Sequence, residues 1–86
     1  MPIRDELRNH IRSVYVPDAG LDEITDDLDV LDTGVIDSLG VLRLMAWLDR
    51  HFDIALSDAD ISLDDFRSIS SIAALVEREQ STRRVS

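Results

Sequence analysis

The stretch GVIDSLGVLRLMAWLDRHF, residues 34–52, decides the fold. Its apolar residues recur every three or four positions from residue 38 onward, which predicts an amphipathic helix over residues 38–52. The side of this helix that we expect to face the core consists of Val41, Leu44, Met45, Leu48 and Phe52. Asp37 or Ser38 can cap the start of the helix, and Asp53 ends it.

The flanking sequence predicts two more long helices and one short helix. Residues 3–16 show helical spacing and are followed by Pro17, the short helix spans roughly residues 63–66, and the last helix begins after Ser68. Residues 17–37 are rich in turn formers and aspartate but hold scattered apolar residues, so we expect a long first loop held against the helices. The predicted fold class is all-α: a small bundle of three long helices plus one short helix.

The length of 86 residues indicates one domain, which we assign to residues 1–79. Residues 80–86 have no apolar face, and we expect a disordered C-terminal tail there. The longest apolar run is too short for a membrane span, and the first residues do not resemble a signal peptide. We therefore expect a cytoplasmic protein that does not insert into membranes. The sequence gives no sign of oligomerisation, so we also expect a monomer.

Acidic residues outnumber basic ones by 18 to 9, which gives a formal net charge of −9. This excess argues against nucleic acid as a partner, because phosphate backbones attract Lys and Arg. Eight of the acidic residues lie between Asp18 and Asp37, and no basic residue lies among them. Such a charge favours partners with basic surfaces and speeds their encounter with this chain.

Catalytic and metal sites are not indicated by the sequence. A nucleophilic serine needs a nearby base, and the chain lacks G-x-S-x-G; His51 is about 20 Å from Ser38 along the predicted helix. The aspartate-rich segments that begin at Asp27 and Asp58 lack the glycine and the other ligands of an EF-hand calcium loop. The chain has no cysteine. We predict no catalytic residue and no metal ligand.

Ser38 has two interpretations that the residue pattern alone leaves open. It is either a helix cap or a hydroxyl that the chain presents for chemistry, since a helix N-terminus favours a phosphate group. Asp37 is able to cap the helix, so Ser38 is not needed for that role. Ser38 projects away from the predicted core, toward a surface that mixes apolar and charged residues: Leu39, Leu42, Arg43, Ala46, Asp49 and Arg50.

Residues 31–56 resemble an acyl carrier protein, and residues 68–76 resemble the last helix of that family. The matching positions are Asp37, Ser38, Leu39, Leu44, Leu48 and Phe52. The resemblance implies that a separate transferase, using coenzyme A and Mg²⁺, attaches 4′-phosphopantetheine to Ser38, with Asp37 and Leu39 beside the arm. The arm would end in a thiol that holds acyl or aminoacyl groups as thioesters.

The same resemblance implies several partner enzymes. These are a phosphopantetheinyl transferase, a loading ligase or acyltransferase, and a downstream synthase or transferase. We expect them to meet the face formed by Leu42, Arg43, Ala46, Asp49 and Arg50. Fatty-acid carriers place glutamates along this face, whereas this chain keeps one acidic residue there, so we expect partners with at least one acidic patch beside the usual basic one.

The cargo is indicated by the spacing before the serine. Two residues, Val35 and Ile36, separate Gly34 from Asp37, where common fatty-acid carriers have one. This spacing is similar to that of D-alanyl carriers and of some discrete carriers for aminoacyl or specialised-metabolite pathways, including polyketide and nonribosomal peptide synthesis.

Three functions follow, and none of them makes the chain an enzyme. The first is a discrete acyl carrier in a biosynthetic pathway, and the second is an aminoacyl carrier loaded by an adenylating ligase. The third, from another class, is an unmodified helical interaction module in which Ser38 is only a cap. Trp47 is expected at the edge of the core, or alternatively beside a bound acyl chain.

Overall fold

The structure, a computed structural model, describes residues 3–20, 23–56 and 61–85. It contains helix α1 (Ile3–Tyr15), helix α2 (Ser38–Phe52), a short 3₁₀ helix (Leu63–Phe66) and helix α3 (Ile69–Val85). No strand occurs within these ranges. The prediction of an all-α bundle with three long helices, one short helix and a long first loop is confirmed.

Helix α2 begins and ends where local side-chain chemistry predicts. Asp37 has an extended backbone, and its Oδ1 accepts a hydrogen bond of 2.7 Å from the Gly40 amide, which satisfies one free N–H of the first turn. Asp53 adopts a left-handed conformation with φ of 54° and donates its amide to the Asp49 carbonyl. Because both signals are local, the bounds of α2 can be predicted from the sequence without knowledge of the tertiary packing.

One apolar core joins the three long helices, the 3₁₀ helix and the loops. Val41, Leu44 and Leu48 of α2 are buried, while Met45 and Phe52 are partly buried against them. The other elements contribute the remaining buried residues: Leu7, Ile11, Ile24, Val30, Ile36, Ile54, Leu56, Phe66, Ile69, Ile72, Ala73, Leu75 and Val76. The opposite face of α2 is thereby left at the surface.

The first loop is fastened to the helices by backbone hydrogen bonds and by arginine side chains. The Val30 amide donates to the Arg67 carbonyl at 2.7 Å, and the Ser70 amide donates to the Asp26 carbonyl at 3.0 Å. Arg8 of α1 donates from Nε to the Ile24 carbonyl at 2.8 Å and also bonds the Asp26 carboxylate. The expectation that this loop lies against the helices is confirmed for its described residues.

The C-terminal segment differs from its prediction. We expected disorder from residue 80, but α3 continues through Val85. The first part of α3 is anchored in the core, and the residues that follow, including Glu77, Arg78 and Gln80, are strong helix formers. Elongating an established helix needs no apolar face, because the unfavourable step is nucleation. The carrier-domain boundary at residue 79 stays a prediction, and Ser86 lies outside the described residues.

Within those ranges no helix combines the length and apolar character that a membrane crossing requires. The same part of the chain holds no cluster of three or more His, Cys, Asp or Glu side chains arranged to bind a metal ion. The aspartate-rich segment from Asp58 falls partly outside the described residues. In the other segment, Asp29 Oδ1 accepts hydrogen bonds from the amides of Leu31 and Asp32, so this carboxylate shapes a turn.

Candidate functional site

Ser38 is the first residue of α2, and it is exposed. The cap of this helix is Asp37, which confirms that the serine is not required for capping. No hydrogen bond joins the Ser38 hydroxyl to another residue that the structure describes. The hydroxyl therefore stands free at the junction of the first loop and α2, where the N-terminal amides and the helix dipole favour an attached phosphate.

Two open grooves meet at Ser38. The first, here called the apolar groove, has a volume of about 440 Å³ and lies between α2 and the 3₁₀ helix. It is lined by Ser38, Val41, Leu42, Met45, Ile61, Ser62, Leu63 and Phe66. The second, the polar groove, has a volume of about 370 Å³. It is lined by Leu31, Asp32, Ile36, Asp37, Ser38, Leu63 and Arg67.

A group attached to Ser38 would lie between the two grooves and could contact either of them. Leu63 borders both grooves and is 57% exposed, so it stands between them as an apolar edge. Arg67 in the polar groove bonds Asp64 and Asp29, and these carboxylates raise the pKa of its guanidinium. A flexible chain on Ser38 thus has an apolar surface and a charged surface within its reach.

Gly40 lets the start of α2 approach α1 closely. A Cβ atom at position 40 would lie 2.9 Å from Ile36 Cγ2 and 3.2 Å from Tyr15 Cε1. The Tyr15 hydroxyl also donates a hydrogen bond of 3.0 Å to the Gly40 carbonyl. Burial raises the pKa of Tyr15, with Arg43 acting in the opposite direction, so the phenol stays protonated as a donor. The turn that carries Ser38 is therefore held by α1.

Sequence reasoning did not find this contact between Tyr15 and Gly40. The available signal was a tyrosine at the end of one helix and a glycine in the first turn of the next. Pairing the two requires knowledge of how the helices pack.

The exposed face of α2 contains most of the predicted partner residues. Leu42 is 62% exposed, and Arg43, Ala46 and Arg50 are also exposed. Leu39, predicted to lie beside the arm, is 56% exposed on the same side. These side chains form one continuous surface that begins next to Ser38.

Asp49 is the exception within the predicted partner face. It is half-buried, and its Oδ1 accepts a hydrogen bond of 2.8 Å from the Leu56 amide. Its carboxylate therefore holds the segment after α2 against the helix. The hydrogen bond between Asp49 and Leu56 depends on the path of the chain after residue 53. The spacing of residues along α2 does not predict that path.

Trp47 lies on the far side of α2 from Ser38, between two histidines. Its ring stacks on His10 with centroids 3.7 Å apart and on His51 with centroids 4.6 Å apart. Trp47 is half-buried against the core and lines neither groove, which agrees with the expected place at the core edge. Burial, followed by the nearby His51, lowers the pKa of His10. Neither histidine approaches Ser38 to act as a base.

A helical bundle with a free serine at the start of its second helix is the arrangement that the resemblance to carrier proteins implies. The family described as "Phosphopantetheine attachment site" matches residues 5–76. The chain belongs to this phosphopantetheine-binding carrier family, whose prosthetic group is covalently attached 4′-phosphopantetheine.

Similar proteins agree with this assignment. The D-alanyl carrier protein of Streptococcus mutans is 31% identical over 84% of this chain and 87% of its own length. The D-alanyl carrier protein of Lactococcus lactis subsp. lactis is 28% identical over 86% of this chain and 96% of its own length. The solved structure of KstB-PCP in its apo form superposes with a TM-score of 0.75 at 39% identity, covering 88% of this chain and 84% of that chain.

Proposed function

We propose that this carrier holds its arm on Ser38 and works as a discrete carrier of acyl or aminoacyl groups in biosynthesis. The observation that supports the proposal best is the exposed Ser38 hydroxyl, unused by the fold, directly after the capping residue Asp37. Leu39 follows it as an exposed apolar contact for the modifying enzyme. The chain itself presents the arm and does not catalyse a reaction.

The attachment step follows from the chemistry of coenzyme A. The Ser38 oxygen forms a bond to the phosphorus next to the pantetheine half, the pyrophosphate bond breaks, and adenosine 3′,5′-bisphosphate leaves. The hydroxyl proton passes to a base of the transferase, which also holds the Mg²⁺. The bound arm supplies a thiol that carries cargo as a thioester. The N-terminal amides of α2 stabilise the phosphodiester anion that remains.

Intact-protein mass spectrometry tests this proposal. After co-expression with a broad-specificity phosphopantetheinyl transferase, we expect the mass to rise by one phosphopantetheinyl group. Ser38→Ala should abolish the gain, because it removes the only atom to which the proposal attaches the arm. Ser13→Ala, which changes an exposed serine of α1, should keep it. An unmodified wild-type protein would favour the third function, an interaction module with no arm.

An aminoacyl carrier is the second candidate for the cargo. Two D-alanyl carrier proteins among the similar sequences support it, together with the two-residue spacing between Gly34 and Asp37. The apolar groove beside Ser38 supports an acyl chain instead. Incubating the modified protein with adenylating ligases and labelled D-alanine or carboxylic acids separates the two. A hydroxylamine-sensitive label on the wild type, absent from Ser38→Ala, identifies the cargo class.

The further partners are proposed on the same basis. A loading ligase or acyltransferase fills the arm, and a downstream synthase or transferase, of a polyketide, nonribosomal peptide or related pathway, empties it. We place these encounters in the cytoplasm and take the carrier to be a monomer. The docking face comprises Leu42, Arg43, Ala46 and Arg50, with Asp49 at its edge fixing the following segment.

A further inference from the structure

Arg67 is the cationic side chain that lines the polar groove, and two carboxylates hold its guanidinium in place. Its Nε donates to Asp64 Oδ1 at 2.6 Å, and its Nη1 donates to Asp29 Oδ2 at 3.1 Å. The Arg67 carbonyl also accepts the Val30 amide at 2.7 Å, so the backbone at this position is tied to the first loop. The guanidinium is therefore oriented at the wall of the groove without the help of a ligand.

The polar groove has hydrogen-bonding groups to spare. A guanidinium has five N–H groups, and Arg67 uses two of them, one for Asp64 and one for Asp29, which leaves three. Asp32 is exposed, and no donor within the described ranges bonds its carboxylate. The groove thus offers both donors and acceptors next to Ser38.

The 4′-phosphopantetheine arm has the matching set of groups. Between its phosphate and its thiol it contains one hydroxyl and two amides, and each amide has one carbonyl acceptor and one N–H donor. The N–H groups of Arg67 suit the carbonyls, and the carboxylate of Asp32 suits the N–H groups and the hydroxyl. Leu31 and Leu63 at the groove wall suit the two methyl groups of the arm. The groove volume of about 370 Å³ lies within the range of small-molecule sites.

The apolar groove is a poorer match for an arm without cargo. Apart from Ser38, the only polar side chain among its described lining residues is Ser62. An amide that lies on apolar surface gives up hydrogen bonds to water and gains none from the protein, which is unfavourable. In the polar groove, Arg67 and Asp32 replace those hydrogen bonds. Arg67 therefore decides which groove the unloaded arm favours.

We infer that the polar groove is the resting site of the unloaded arm, in which Arg67 donates hydrogen bonds to the amide carbonyls of the arm and Asp32 accepts from its N–H groups or hydroxyl. This inference rests on the proposed attachment at Ser38. Contacts made by exposed charges are individually weak, so free pantetheine should bind poorly. Attachment makes the binding intramolecular, with an effective concentration on the order of millimolar, and this populates a site that the free molecule leaves empty.

Two-dimensional proton–nitrogen NMR spectra of the unmodified and modified protein test the inference without any measurement of activity. Mass spectrometry first establishes that the arm is on Ser38. We expect modification to shift the backbone amide signal of Leu31 and the Nε–H signal of Arg67. The amide signals of Met45 and Ile61, in the apolar groove, should shift less. Shifts confined to the sequence neighbours of Ser38, or larger in the apolar groove, would contradict the inference.

Arg67→Met removes the donors and keeps a side chain of similar length. The shift of the Leu31 signal on modification should then be lost, whereas that of Leu39, next to Ser38, should stay because it reports the phosphate. Arg43→Met is the matched control: it removes an exposed arginine that lines neither groove and should keep the wild-type pattern. Equal patterns in the two variants would mean that Arg67 does not bind the arm.

Asp32→Ala is a second variant that leaves the ion pairs of Arg67 intact. The Asp32 amide still donates to Asp29 Oδ1 at 2.8 Å, because that bond belongs to the main chain. Loss of the Asp32 carboxylate should reduce the shift of the Arg67 Nε–H signal on modification. An unreduced shift would remove Asp32 from the site, and together with an unaltered pattern in Arg67→Met it would end the inference.

A spin label locates the distal end of the arm and separates the inference from the proposed function. Because the chain has no cysteine, a thiol-reactive nitroxide attaches to the arm alone. We expect it to broaden the signals of Leu31 and Arg67 more than those of Met45 and Ile61. If the arm is on Ser38 but both grooves are broadened equally, the attachment stands and the inference fails. If no mass is gained, the attachment itself fails, and the inference fails with it.

Discussion

Gly40 shows how a single residue places the modification serine. It lies two positions after Ser38, and its carbonyl accepts the Tyr15 hydroxyl. Glycine normally weakens a helix by about 1 kcal/mol relative to alanine, so its use in the first turn of α2 needs a reason. The reason is steric: a Cβ atom at position 40 would lie too close to the side chains of Ile36, Asp37 and Tyr15.

Gly40→Ala should lower the free energy of unfolding by about 1 kcal/mol. Overpacking of this kind costs about 1–3 kcal/mol and outweighs the gain in helix propensity of about 1 kcal/mol. Urea denaturation followed by circular dichroism measures the change. Ala46→Gly, at an exposed position of the same helix, is the control, since it reports propensity alone. A more stable Gly40→Ala protein would show that Ile36 and Tyr15 can move aside at little cost.

At the scale of elements, α1 and α2 meet through an antiparallel row of side-chain contacts. Glu6 lies 3.3 Å from His51, His10 stacks on Trp47, and Tyr15 bonds Gly40. The two helices therefore run antiparallel. This seam is aromatic and polar, in contrast to the aliphatic core on the other side, and it contains both histidines of the chain.

The seam should make stability depend on pH. Because the pKa of His10 is lowered in the folded state, mainly by burial, the folded protein binds fewer protons than the unfolded chain. Stability should therefore be full above the ordinary histidine pKa of about 6.5 and should fall as pH drops below it. Urea denaturation at a series of pH values from 7.5 to 5, with Trp47 fluorescence as the probe, measures this decline.

His10→Phe is the variant that isolates the cause. It keeps a ring on Trp47 but removes the titrating group, so the decline below pH 6.5 should become shallower. The groups that face His10 are Tyr15, Trp47 and His51, and Glu6 faces His51. An unchanged decline in His10→Phe would assign the pH dependence to another group.

The features predicted from sequence are those with local causes. The bounds of α2 follow from Asp37 and Asp53, and the resemblance around Ser38 depends on adjacent residues. The histidine–tryptophan stack, the Tyr15 bond and the Asp49 bond to Leu56 join residues whose pairing is set by packing. The extension of α3 beyond residue 79 was not predicted, because its last residues have helix propensity but lack the apolar periodicity by which a helix is recognised in a sequence.

At the scale of the whole molecule, the first loop is held in the bundle because two separate segments of the chain, α1 and the residues beside the 3₁₀ helix, both bind it. On one side, Arg4 and Arg8 of α1 bind Asp26. On the other, Arg67 beside the 3₁₀ helix binds Asp29 at 3.1 Å. The acidic loop is thus matched by arginines from two separate segments. Because the loop leads directly into Asp37 and Ser38, its position also sets where the hydroxyl is presented.

Arg8→Met should cost about 1.5–3 kcal/mol of unfolding free energy, because it removes charged hydrogen bonds from a partly buried side chain, including one to the Ile24 carbonyl. Arg4→Met is the matched control: it loses an ion pair to the same Asp26, but Arg4 is 54% exposed, so the cost should be at most about 1 kcal/mol. Urea denaturation gives both values, and amide hydrogen exchange in residues 23–36 should quicken in Arg8→Met alone. Equal losses in the two variants would mean that charge near Asp26, and not the bond to the loop backbone, holds the loop in place.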